Sequence, residues 1–132
     1  MEQYEVTLLN FADNSEVNTV VYADEAETTD NIILKTTING SELTSESNQY
    51  LVAYQILRDK LLQIGFGLKC NGSLINVTQS AMMSYTPKMY LVHIGEQAAM
   101  KDIVNMWDYC DTDHFPTTEQ QKLFIQDWFA SL

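Results

Sequence analysis

Apolar and polar residues alternate through the first third of the chain. Tyr4, Val6 and Leu8 interleave with Glu5, Thr7 and Leu9, and Val17, Thr19 and Val21 with Asn18, Val20 and Tyr22. Ile32, Leu34, Thr36 and Ile38 likewise interleave with Ile33, Lys35 and Thr37. A period of two is the signature of half-buried strands, so three strands are predicted here. Ala12-Asp13-Asn14-Ser15 supplies turn formers between the first two, and an acidic loop from Asp24 to Asp30 separates the second from the third. Asn39-Gly40 marks a tight turn, and the polar stretch Ser41 to Asn48 reads as a connection.

The period changes at Gln49. Tyr50, Tyr54, Leu57, Leu61 and Ile64 recur at spacings of three and four, with Leu51, Val52 and Ile56 widening the stripe. This predicts a helix over Gln49–Ile64, packed deeply on a sheet and stopped by Gly65. Phe66–Cys70 and Ser73–Thr78 flank Asn71-Gly72, which predicts a hairpin closed by a type I′ turn. After a loop from Gln79 to Pro87, Lys88–Ile94 is apolar on both faces, as expected of a central strand. Gly95 breaks the chain, and Glu96–Trp107 reads as a helix with Ala99, Ile103 and Met106 on one side. Thr117 and Gln120 fit a capping box at the start of a final helix whose apolar face is Phe124, Ile125, Trp128 and Phe129. The expected architecture is a single α+β domain over residues 1–132. It combines a mainly antiparallel sheet with one long central helix and two C-terminal helices.

Charge narrows the partners. The chain carries a formal net charge of -11 over 132 residues, and its first 34 residues hold eight carboxylates and no Lys or Arg. Nucleic acid and anionic membrane surfaces would be repelled; a basic protein surface would be attracted. Acidic disorder is excluded by 45% hydrophobic content and by seven Tyr, five Phe and two Trp. The first residues lack the basic and apolar regions of a secretory signal, and no apolar run approaches the ~20 residues of a membrane span. A cytoplasmic location is expected, with Cys70 and Cys110 as reduced thiols rather than a bridge.

Candidate chemistry is sparse. Asp111-Thr112-Asp113-His114 resembles a metal cluster, but a calcium loop would need oxygen ligands where Phe115 and Lys122 stand. A zinc site would have only His93 to add. His93, at the end of an apolar strand, fits a structural histidine better than a general base. Cys70 fits a buried, inert thiol. No G-x-S-x-G elbow occurs, and Gly65-Phe66-Gly67 precedes a strand rather than the helix a phosphate loop needs. No catalytic, cofactor or metal residues are therefore assigned. Two acidic groups remain: Asp24, Glu25, Glu27 and Asp30 in one loop, and Asp108, Asp111 and Asp113 in another. Tyr22, Trp107, Tyr109 and Phe115 lie beside them, so carboxylates could steer a partner while aromatics anchor it. A ligand pocket or enzyme site near His93 and Cys70, and an adaptor that pairs through a sheet edge, are the alternatives.

Several strings in the second part of the chain are distinctive. They are Leu68-Lys69-Cys70-Asn71-Gly72-Ser73, Asn76-Val77-Thr78-Gln79-Ser80-Ala81-Met82, Tyr90-Leu91-Val92 and Gly95-Glu96-Gln97-Ala98. Asp102-Ile103-Val104-Asn105-Met106-Trp107-Asp108, then Glu119-Gln120 and Trp128, complete the set. Through them the chain from about Tyr50 onward resembles a group of small bacterial proteins that look like immunity proteins of polymorphic or contact-dependent growth-inhibition toxin systems. Ala81 stands where that group would carry Gly, and Ser84-Tyr85-Thr86 where it would carry a glycine-rich turn. The resemblance implies a cytoplasmic protein that neutralises a cognate toxin domain, in many such systems a nuclease, as a 1:1 complex. It assigns no site residues.

Overall fold

The computed structural model describes residues Met1–Leu132. The alternating segments form strands β1 (Glu2–Asn10), β2 (Ser15–Glu25) and β3 (Ile32–Ile38), followed by β4 (Ser41–Ser47) and helix α1 (Tyr50–Gln63). Strands β5 (Phe66–Leu68), β6 (Val77–Thr78), β7 (Lys88–Leu91) and β8 (Ile103–Asn105) precede helix α2 (Thr118–Ala130). Five strands make an antiparallel sheet in the order β4-β3-β2-β1-β5, and β6-β7-β8 make a second, smaller one. The fold class is α+β.

Each strand of the large sheet turns one face inward. Val6, Leu8, Val21, Ala23, Ile32, Leu34 and Ile38 are buried, and α1 closes over them with Tyr54, Leu57 and Leu61. Thr36 joins this face because its hydroxyl donates to the Val20 carbonyl, which removes the cost of burying it. At Asn39-Gly40 both residues have positive φ, 50° and 79°, and Ile38 pairs directly with Ser41. That is the geometry of a two-residue hairpin whose twist matches its strands. The strand that follows, β4, replaces the connection expected over Ser41–Asn48. Its one deeply buried side chain is Ser45, whose hydroxyl donates to the Ala53 carbonyl of α1.

Two further expectations are corrected. Asn71-Gly72 does not close a hairpin: β5 pairs with β1, whereas β6 pairs with β7 in the other sheet. Gly72 is absent from the positive-φ glycines; Asn71 and Gly72 instead donate their N–H groups to the carbonyls of Asp108 and Met106. Glu96–Trp107 is not a helix, so one C-terminal helix stands where two were expected. Its β-branched Ile103 and Val104 pair with Tyr90 and Met89 as β8, which makes β7 the central strand of its sheet. The segment before β8 is pinned to the end of α2. The Gly95 N–H donates to Ser131 Oγ, and Trp128 Nε1 donates to the Glu96 carbonyl.

The helices, 14 and 13 residues long, meet through a buried polar network. Arg58 is fully buried; its Nε donates to Asp59, and one Nη donates to both Thr118 and Gln121. Asp59 also accepts from the Thr118 hydroxyl, so the guanidinium and its carboxylate partner are both tied to the first turn of α2. Thr117 and Gln120 form the expected capping box at that end. Phe129, expected on the apolar face of α2, is 63% exposed, and Gln121 is buried in its place.

Candidate protein-binding surface

The geometry of the large sheet leaves its second face open. Tyr22 pairs with Gln3 on one side and Lys35 on the other; Val20 pairs with Glu5, Ile33 with Asp24 and Glu46, Thr37 with Glu42, and Leu9 with Glu16. All of these point away from α1, because their neighbours along each strand are the buried ones. Glu5, Glu16, Asp24, Glu42 and Glu46 are all exposed, and no helix covers them. Tyr22 stands in the middle with Val20, Ile33 and Lys35 beside it, and Glu5, Asp24, Glu42 and Glu46 lie around them; Glu16 sits six positions away along β2.

Two lysines share this face. Lys35 is exposed. Lys69 is already committed, with its ammonium 2.6 Å from Glu16 and 3.0 Å from Asp111. Those partners, Glu16 first, hold its pKa above the ordinary lysine value, and Lys69 in turn draws the Asp111 carboxyl below its own. Lys69 thus offsets Glu16 and Asp111, while Glu5, Asp24, Glu42 and Glu46 have no ion-pair partner.

The acidic residues expected from the sequence fall into two places. Asp24 and Glu25 end β2, and Glu27 and Asp30 lie in the loop after it. There Asp24 and Glu25 border a hollow of about 250 Å³ shared with Glu2, Tyr50, Tyr85 and Pro87. Below it Tyr4 donates a hydrogen bond to Glu2 and stacks on Trp107 at 5.4 Å, and Trp107 Nε1 donates to Tyr50. Burial and the bond to Glu2 raise the Tyr4 pKa, and burial raises that of Tyr50, so both phenols stay protonated. Asp111 and Asp113 lie beside Glu16, at the opposite end of β2. Eight residues separate Glu16 from Asp24, about 26 Å along an extended strand. Asp108 is exposed, on the segment where Tyr109 bridges to Cys70. The two groups are thus not one patch; the open sheet face lies between them. Sequence inspection missed Glu5, Glu16, Glu42 and Glu46 as members of this surface, because only strand register brings them together.

The other candidate chemistry is dispersed. Cys70 is fully buried, and its thiol is pushed up to about 12 by burial, then by Cys110. His93 is half-exposed on the small sheet's side, 3.9 Å from Asp102, in a hollow lined by Glu96, Gln97, Ala99 and Lys101 but not by Cys70. Asp113 and His114 face each other at 3.4 Å with both side chains in solvent, while Asp111 is turned to Lys69. None of these places a reactive nucleophile beside a base. No helix is long and apolar enough to cross a membrane. No protein-family profile matches the chain, and no curated protein is significantly similar to it.

Proposed function

We propose that this protein is an inhibitory binding partner, an immunity protein that occupies the basic surface of a cognate toxin domain in the cytoplasm as a 1:1 complex. One observation carries the reading: a five-stranded sheet presents an uncovered face on which Tyr22, Val20 and Ile33 lie among Glu5, Asp24, Glu42 and Glu46, with Glu16 further along β2. A nuclease substrate site must be basic to hold phosphates, so it is drawn to such a face and its approach is accelerated by steering. Tyr22 and its neighbours then supply the desolvated contact in which binding energy concentrates. The acidic groups at both ends of β2, Asp24, Glu25, Glu27 and Asp30 and then Asp108, Asp111 and Asp113, extend the negative field. A buried thiol and a half-exposed histidine without a nucleophile beside it favour a binder over a catalyst.

The test is genetic and direct. Cells expressing the toxin domain encoded beside this gene should be rescued by co-expression of this protein, and the two should co-purify. Rescue without complex formation, or a complex that leaves toxicity intact, contradicts the proposal.

A further inference from the structure

The two Asn-Gly pairs of the chain stand in opposite surroundings. At the tip between β3 and β4, Asn39 and Gly40 lie outside both strands and both are exposed. The Gly40 N–H donates to no backbone acceptor, and nothing lies within 4 Å of where a Gly40 Cβ would stand. At the second pair these freedoms are gone. Gly72 is buried, its N–H donates to the Met106 carbonyl at 3.0 Å, and the Tyr54 ring fills the space a Cβ would need. The Gly72 carbonyl accepts from Gln121 Nε2, and Asn71 Nδ2 donates to the Asn105 carbonyl at 3.2 Å.

The difference matters for the chemistry of the side-chain amide. A glycine nitrogen has no Cβ beside it and can approach the Cγ of a preceding asparagine closely. Closing that ring needs a free N–H, a backbone able to turn, and water to reopen the product. All three are present at Asn39, and the fold withholds the first two at Asn71. We propose that Asn39 is a chemical modification site, where water converts the folded protein to an aspartate or isoaspartate form while Asn71 is protected. The Gly40 nitrogen bonds to Asn39 Cγ, the Cγ–Nδ2 bond breaks, and the Gly40 proton leaves with Nδ2 as ammonia. Water then opens the cyclic imide at either carbonyl. Opening at Cγ restores the peptide bond and leaves an aspartate, and Asp-Gly still suits a two-residue turn. Opening at the backbone carbonyl routes the chain through the side chain and lengthens it by one carbon. Two residues then no longer span the Ile38–Ser41 pair, which loosens β4 with Glu42 and Glu46 on it. Both products add one carboxylate to the acidic sheet.

The test incubates the folded protein at mildly alkaline pH and follows both sites by peptide mass spectrometry, with an aspartate-directed protease separating the two products. Position 39 should gain the mass of an amide-to-acid exchange about tenfold or more faster than position 71. Ring closure at Asn71 must first break the Gly72 bond to Met106, which sets that factor. In urea, where neither pair is held, the two rates should converge. Asn39→Asp, which matches one product, should unfold at the parent's urea concentration, and the isolated isoaspartate form at a lower one. An Asn39 that survives in the folded protein while both pairs convert in urea would overturn the proposal. So would equal rates at the two positions without urea, or an isoaspartate form as stable as Asn39→Asp.

Discussion

Gly72→Ala and Gly67→Ala test how the core is assembled, because the two glycines face rings at nearly the same distance and should respond oppositely. A Cβ added to Gly72 would lie 2.6–2.9 Å from three atoms of the Tyr54 ring, and one added to Gly67 would lie 2.7 Å from the Phe115 ring. Tyr54 cannot retreat. It is fully buried, its hydroxyl shares a 2.7 Å hydrogen bond with Ser73, and its ring packs on Trp107 at 5.0 Å. Moving the ring the 0.8 Å needed to reach an ordinary 3.4 Å contact would strain the core and stretch that bond. Overpacking costs roughly 1–3 kcal/mol and the weakened hydrogen bond about 1. Loss of glycine freedom in the unfolded chain returns about 0.5. The expected destabilisation is about 1.5–3.5 kcal/mol. Phe115 is half-buried on the loop before α2 and can swing aside, so Gly67→Ala should stay within about 1 kcal/mol of the parent. Equilibrium denaturation in urea reads both. If Gly72→Ala proves as stable as the parent, or Gly67→Ala as damaging as Gly72→Ala, the argument that Tyr54 selects glycine at position 72 is wrong.

Further outcomes are equally specific. At pH 8 a thiol reagent should label Cys110 in the folded protein and Cys70 only after unfolding, as read by intact mass; burial and elevated pKa protect Cys70. Thr117→Ala removes the acceptor for the Gln120 N–H at the start of α2 and should cost about 1 kcal/mol in the same denaturation assay. Lys69 lowers the Asp111 pKa from 3.8, so the stability this pair contributes is complete above 3.8 and lost as pH falls through the lower folded value. Lys69→Met should return the Asp111 carboxyl titration, followed by NMR, towards 3.8.

The dipeptide Asn-Gly shows what the sequence could and could not reveal. At 39–40 it sits between two segments of one sheet and adopts the positive φ that its composition advertises. At 71–72 the same pair is glycine for lack of space, because a ring 18 residues earlier in the chain lies over it. Only a tertiary contact distinguishes the two. The first three strands, α1 and the cap of α2 were legible because their apolar periodicity serves one continuous core. β4 was not, since its buried position is a serine satisfied by a helix carbonyl. The apolar spacing that suggests a helix over Glu96–Trp107 arises by chance, since Ile103–Asn105 of that segment form a short strand. The acidic surface followed the same logic. Charge density near Asp24–Asp30 was visible, but Glu5, Glu16, Glu42 and Glu46 become neighbours only through cross-strand register. Arg58 is buried because α2 supplies Thr118 and Gln121 from 60 and 63 positions away, partners that helical spacing along α1 does not reveal.

The most direct measurement compares association with the toxin domain that the proposed function requires, before and after the open face is neutralised. Glu5→Gln, Asp24→Asn, Glu42→Gln and Glu46→Gln together remove four of the eleven net negative charges. The amide oxygens can still accept the bonds that Asp24 receives from the Glu25 N–H and Glu46 from Asn31. Stopped-flow association rates at rising salt should show a steep decline for the parent, and for the variant a rate reduced by about tenfold or more at low salt with a much flatter dependence. Identical rates and salt slopes for the two proteins, with the variant still folded, would contradict the claim that this sheet face captures a cationic partner.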